Sequence, residues 1–169
     1  MDTKLKVSGI IKESIVDGPG LRYVIFTQGC FHKCEGCHNP HTHDMDGGYY
    51  VDISTILGEI KRNPLLDGVT FSGGEPFLQC KPLSLLGNEI KKLGLSIITY
   101  TGYTFEQLFE LSQSDPDLFS LLKVSDIIID GKFEIEQKDL LLKFKGSKNQ
   151  RIVNVSKSLH KQEAVMQEF

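Results

Sequence analysis

Three of the four cysteines stand within eight positions, as Cys30-Phe31-His32-Lys33-Cys34-Glu35-Gly36-Cys37, with Cys80 far from them in the chain. At this cysteine frequency such a C-x3-C-x2-C triplet arises by chance in only about two such chains per thousand, so the spacing points to a bound group. Reduced thiols this dense serve metal or redox chemistry. Two kinds of metal fit them. Three thiolates on a four-iron cluster leave one iron without a protein ligand and open to substrate, whereas a fourth ligand from His32, His38, His41 or His43 would complete a Cys3His zinc site. Three further groups carry chemistry. Consecutive Gly73 and Gly74 allow close backbone approach, and Glu75, followed by Pro76, can accept hydrogen bonds from an ammonium group. Asp130 and Lys132, flanking Gly131, offer an acceptor for a ribose hydroxyl and a cation for a carboxylate, and Thr101-Gly102-Tyr103 is a polar turn. Each of these alone reads as an ordinary turn. Cys80 reads as a small buried residue.

The elements that must hold these groups are legible as βα units. Leu21 to Gln28, after the turn Asp17-Gly18-Pro19-Gly20, is a strand, and Ile53, Ile56, Leu57 and Ile60 recur at helical spacing behind Asp52 as a candidate N-cap. Val69 to Ser72 is a second strand, followed by a helix with Pro82 at its start, a stripe of Leu86, Ile90 and Leu93, and Gly94 as its terminator. Ser96 to Tyr100 is a third strand. Thr104 caps a helix bearing Phe105, Leu108 and Phe109, Asp115-Pro116 opens another ending near Lys123, and Asp126 to Asp130 is a fourth strand. Weaker strand signals lie at Lys4 to Ile11, Leu140 to Lys145 and Arg151 to Val155. Alternation of this kind predicts an α/β fold with a parallel sheet of about six strands, open or forming an incomplete barrel, over residues 1–155, followed by a C-terminal helix or tail at 156–169. Functional groups of parallel α/β folds gather at the carboxyl ends of strands, and all four motifs follow strands here. They are expected to face one cavity.

The 169 residues fall short of the ~250 of a complete eight-unit barrel. With 19 Lys and Arg against 22 Asp and Glu, a net charge of -3 gives no general attraction for nucleic acid or anionic membrane. No run approaches the ~18 apolar residues of a membrane span, and the charged N-terminal segment does not read as a signal peptide, so a cytoplasmic protein is expected. Charge is uneven. Residues 131–169 carry 8 basic and 5 acidic side chains, which reads either as a solvated face or as a docking surface for an acidic partner.

Together the motifs resemble those of radical S-adenosylmethionine (SAM) enzymes, specifically the activases of glycyl-radical enzymes. Cys30, Cys34 and Cys37 match the cluster triplet, Gly73 to Pro76 the SAM amino-group motif, and Asp130-x-Lys132 the activase SAM-contacting pair. Val16 to Arg22 and Cys37-His38-Asn39 match strings typical of activases. Within the family, the Thr101-Gly-Tyr turn, the Asp130 to Phe133 strand end and the Gly146-Ser-Lys-Asn-Gln150 segment are most similar to activases of anaerobic ribonucleoside-triphosphate reductase. The resemblance implies a [4Fe-4S] cluster on the three cysteines, SAM contacts at Gly36, Cys37, His38, Gly73, Gly74, Glu75, Pro76, Asp130 and Lys132, and no catalytic side chain beyond the cluster and SAM. It further implies that reductive SAM cleavage yields methionine and a 5′-deoxyadenosyl radical, which takes a Cα hydrogen from a glycine of the reductase large subunit. A flavodoxin or ferredoxin would supply the electron. Many radical SAM triplets carry an aromatic residue where this chain has Gly36, so adenine contact here falls to backbone atoms. The monovalent-cation pair of pyruvate formate-lyase activases has no counterpart, since Tyr100 precedes Thr101. The alternatives are an activase of pyruvate formate-lyase or another glycyl-radical enzyme, and, in another class, a non-catalytic zinc or iron–sulfur module. Gly146 to Arg151 is expected to serve partner docking or SAM positioning, through Lys148 and Arg151, rather than a mere hairpin turn.

Overall fold

The computed structural model describes residues 3–169. Among them, seven strands form one sheet in the order β3-β1-β2-β4-β5-β6-β7. The centre is parallel: β2 (Arg22–Thr27), β4 (Gly68–Gly73), β5 (Ser96–Tyr100) and β6 (Ile127–Asp130) run side by side in register, Phe26 opposite Ser72 and Tyr100 opposite Ile129. The flanks are antiparallel. On one side β1 (Lys4–Ser14) pairs with β2 and β3 (Tyr49–Asp52) with β1, and on the other β7 (Arg151–Asn154) pairs with β6. The sheet does not close on itself, so the expected incomplete barrel is borne out, with only its four central strands parallel rather than about six.

Two faces of the central strands are filled differently because their side chains alternate. Ile97 and Ile128 point into a large cluster with Phe71, Leu86, Ile90 and Leu121, where α1 (Ile53–Lys61), α2 (Cys80–Lys92), α3 (Phe105–Ser112) and α4 (Pro116–Val124) cover the sheet. Ile98, Ile127 and Ile129 point the other way into a small cluster with Tyr100, Phe144 and Ile152. That inner face is therefore only partly filled by apolar groups. At its lower end lies Arg22, 1% exposed, whose guanidinium donates to Thr70 Oγ1 at 2.8 Å, Ser96 Oγ at 3.0 Å and the carbonyls of Pro19, Val69 and Ser96. Burial pulls its proton affinity down, to a pKa of about 10, so it stays charged at neutral pH while touching only neutral acceptors.

Most of the helix signals hold in detail. Thr104 and Gln107 form a reciprocal capping box, and Asp115 accepts from Leu118 N at 3.1 Å. α2 begins at Cys80, which puts Pro82 in the first turn, where no intrahelical N–H is needed. Asp52 precedes α1 in extended conformation without a side-chain cap bond. Two readings of the sequence need correction. Leu140 to Lys145 is a run of turns and not a strand, because Phe144 takes φ 63° and Leu140 and Leu141 are almost fully exposed. Conversely β3 is a strand at Tyr49–Asp52, where two half-exposed tyrosines on an edge gave no buried-strand pattern. After β7, α5 (Val155–Lys161) packs Val155 and Ser158 inward, and Gln167 N returns to Ile152 O at 2.9 Å.

Candidate iron–sulfur and SAM site

The triplet lies on the long loop between β2 and β3, and that loop is pinned at its entrance. Gly29 N donates to Thr42 O at 2.6 Å, and the Gln28 carboxamide donates to the carbonyls of His41 and Asp44 at 3.0 and 2.6 Å. Thr42 closes the far side through Asn39 O at 2.6 Å. The backbone then turns tightly, with Cys37 N on Cys34 O, Lys33 and Gly36 both at positive φ, and Asn39 N donating to Cys37 Sγ at 3.4 Å. All three cysteines are free thiols, Cys30 buried and the other two half-buried. Burial pushes the Cys30 and Cys34 thiols up, while neighbouring backbone at His32 and Phe133, and Lys132 beside Cys34, draw them part of the way back.

The Gly73-Gly-Glu-Pro turn is stitched to the start of this loop. Gly74 N donates to Thr27 O and Glu75 N to Gly29 O, both at 2.8 Å. Any Cβ at Gly73, which takes φ 92°, would collide with Thr27 N, and any at Gly74 with Gly29 O. Both glycines are thus required by the chain's own backbone. Glu75 is fully buried, and its carboxylate accepts from His32 Nε2 at 2.6 Å, Thr101 Oγ1 at 2.8 Å, Gly102 N at 2.8 Å and Phe77 N at 3.0 Å. One carboxylate ties the cysteine loop, the glycine turn and the Thr-Gly-Tyr turn together. Among the described residues His32 Nδ1 is one of two buried side-chain polar atoms without a partner.

The Asp130-Gly-Lys strand end joins the same rim. Gly131 N donates to Tyr103 O at 2.9 Å. The Asp130 carboxylate is buried and accepts from Phe105 N at the start of α3 at 2.7 Å and from Arg151 at 3.0 and 2.5 Å, and Arg151 also reaches Glu106 at 2.6 Å. These two acids hold the Arg151 proton more tightly than usual, so of the two roles expected for it, docking or positioning, Arg151 is not free for docking and ties Asp130 to Glu106. Lys132 is exposed, and Phe133 meets the exposed His38 edge-on at 5.1 Å. The Gly146 to Gln150 segment clasps this strand end: Asn149 Nδ2 donates to Lys132 O at 2.8 Å and Gln150 Nε2 to Gly131 O at 3.0 Å. Sequence reasoning put the Thr101 turn and the Gly146 to Arg151 segment near the site but weighed His32 only as a metal ligand and missed the pairings, Glu75 with His32 and Thr101 and Asp130 with Arg151. The concavities lined by Tyr23 and Glu59, and by Ser96 and Asp126, lie at strand starts, away from this rim.

The donor set fits a multi-iron cluster. His32 is spent on Glu75, and Cys80, buried and pushed up to about 12, donates to Phe77 O at 3.0 Å. Three thiols on one half-exposed loop remain, each free to take a different iron and together leaving one position open.

An iron–sulfur protein with an exchangeable coordination position, built at the strand ends of an open α/β barrel, is the class this arrangement defines. The family model described as "4Fe-4S single cluster domain" matches residues 16–153. The anaerobic ribonucleoside-triphosphate reductase-activating protein of Enterobacteria phage T4 is 36% identical over 145 residues, covering 81% of this chain and 86% of that protein. The pyruvate formate-lyase-activating enzyme of Staphylococcus aureus is 35% identical over 157 residues, but the chain spans only 59% of its length. QueE from Escherichia coli, a solved structure, aligns over 60% of this chain and 54% of its own with 20% identity and a TM-score of 0.47. The chain belongs to the 4Fe-4S single-cluster family and, within it, to the radical SAM activases of glycyl-radical enzymes.

Glu75→Ala removes an acceptor shared by four donors and leaves them buried without a partner, a loss of roughly 2 to 4 kcal/mol after local relaxation. The expected result is a lower thermal midpoint together with faster cluster loss to a chelator, because His32 no longer anchors the loop. Thermal melts and chelator time courses on reconstituted protein test this. An unchanged melt would show that Glu75 is not a structural hub.

Proposed function

We propose that this protein generates a glycyl radical on anaerobic ribonucleoside-triphosphate reductase. The identity shared with the phage protein across 86% of that protein's length carries the reading, because the longer pyruvate formate-lyase activator matches over only 59% of its own. Cys30, Cys34 and Cys37 would hold a four-iron cluster, and SAM would take the open position. When bound, the cluster supplies the electron that splits the sulfonium bond of SAM.

The chain's own part is to bind, orient and exclude. Lys132, exposed and near enough to Cys34 to act on its charge, would receive the SAM carboxylate. Glu75 and Asp130 already carry protein donors, so in this reading they fix the positions of the Gly73 to Pro76 turn and of the Lys132 strand end, and the SAM amino group is received by carbonyls of that turn. Gly36, at positive φ, is packed directly under Ile135, which a Cβ would meet at 2.7 Å, so only its backbone is offered, and His38 and Phe133 form an adjoining aromatic wall. We assign the direct SAM contacts to Gly36, Cys37, His38, the backbone of Gly73 to Pro76 and Lys132, with the Glu75 and Asp130 carboxylates as positioning groups behind them. A flavodoxin or ferredoxin is the proposed electron donor, and the proposed setting is the cytoplasm. No helix among the described residues is long and apolar enough to cross a membrane.

The test is anaerobic incubation of reduced, reconstituted protein with SAM and the reductase, read by electron paramagnetic resonance. A glycyl radical on the reductase is expected. A radical on pyruvate formate-lyase and none on the reductase would select the second activase reading, which the 35% identity to that enzyme's activator keeps in play.

A further inference from the structure

We propose that the excursion from Lys138 to Lys148 is the docking tip for the protein substrate and receives an apolar socket ringed by carboxylates. This rests on the activase reading above and adds where, and by what chemistry, the partner is held.

The excursion is a built element. Its base is paired by the bridge between Lys138 and Ser147 and by Lys148 N on Gln137 O at 2.9 Å. Asp139 shapes the tip, its carboxylate accepting from Leu141 N at 2.9 Å and its carbonyl from Leu142 N at 3.3 Å. Phe144 anchors the return: its ring joins the small inner cluster and its carbonyl accepts from Tyr100 OH at 2.7 Å. A tip braced in this way holds Leu140 83% and Leu141 92% exposed. Single exposed leucines are common and need no explanation, but two adjacent ones on a braced turn form the apolar centre that interfaces use.

Charge and position select the occupant. Lys138, Lys143 and Lys148 are exposed around the leucines and Lys145 is half-buried, while Asp139, the one acid between 138 and 148, is committed to the turn. Such a surface repels basic partners and steers acidic ones toward it. It also adjoins the candidate site, since Ile135, just before the excursion, packs over Gly36 and Lys132 lies by Cys34. A macromolecule seated on the tip therefore brings its neighbouring chain to the rim.

Two variants test this on the reconstituted full chain: Leu140→Ser with Leu141→Ser, and Lys143→Glu with Lys148→Glu. Each is expected to weaken binding to the reductase about tenfold in anaerobic titrations and to cut radical yield at sub-saturating reductase in proportion, recovering at saturation. Thermal midpoint and partner-free SAM cleavage driven by dithionite should stay within twofold of wild type. Unchanged reductase affinity in both variants overturns the proposal, as does partner-free cleavage falling in parallel with radical yield, which would place the excursion in the SAM pocket. A wild-type dimer that the leucine variant converts to an active monomer would assign the patch to self-association and overturn it as well. Wild-type protein that cleaves SAM yet leaves no radical on the reductase would sink the activase-partner reading itself, a result distinct from variants that bind the reductase as well as wild type does.

Discussion

Alanine in place of any one of Cys30, Cys34 or Cys37 is expected to give protein that is colourless after anaerobic reconstitution and cleaves no SAM, whereas Cys80→Ala stays brown with broad absorption near ~400 nm. The effect should be all or none. Each thiol is one of only three anchors, and the loop offers no substitute: His32 is held by Glu75, and His38 is exposed against Phe133. Cys80 sits at the start of α2 with its thiol on Phe77 O and its proton firmly held, so it contributes packing alone. Iron and sulfide analysis beside the absorption spectrum checks this. A Cys80 variant without cluster, or a triplet variant that keeps it, would reassign the ligands.

The second large effect is on folding. Arg22→Ala leaves Thr70 Oγ1, Ser96 Oγ and the carbonyls of Pro19, Val69 and Ser96 without their donor and opens a cavity under the inner face of the sheet. A loss of roughly 3 to 5 kcal/mol is expected, read as a shift of the denaturant midpoint at constant slope. Arg22→Lys should recover little of it, because three donors on one point cannot reach acceptors spread over two strands and a turn. A loss below about 1 kcal/mol for the alanine variant would mean that relief from burying the charge outweighs the lost hydrogen bonds.

Much of this was legible in the sequence for a simple reason. Cys30 to Cys37, Gly73 to Pro76, Thr101 to Tyr103 and Asp130 to Lys132 are local strings, each directly after a strand, and parallel strands bring their carboxyl ends to one rim. Pairings between those strings were not legible. Glu75 meets His32 across 43 positions and Asp130 meets Arg151 across 21, and no periodicity encodes either. The Val16 to Arg22 string, matched only as a family signature, proves to build the buried guanidinium plug. The false strand at Leu140 to Lys145 arose because Leu142 and Phe144 alternate with Lys143 and Lys145, the pattern of a half-buried strand. The left-handed backbone at Phe144 breaks that alternation, which residue type alone does not reveal for a phenylalanine.

Glu75 has one more consequence, and it concerns reciprocity. The same anion fastens the loop that carries the thiols and the turn that lines the neighbouring wall, so the free energy of ordering either is shared with the other. Linkage then works in both directions: filling the pocket must raise the loop's equilibrium affinity for iron, and loading iron must tighten the pocket, by the same factor. The protein without its metal is accordingly a poorer receptor, although every residue that lines the pocket is already in the chain. Assembly and recognition are in this sense a single equilibrium, with its balance point on one buried carboxylate.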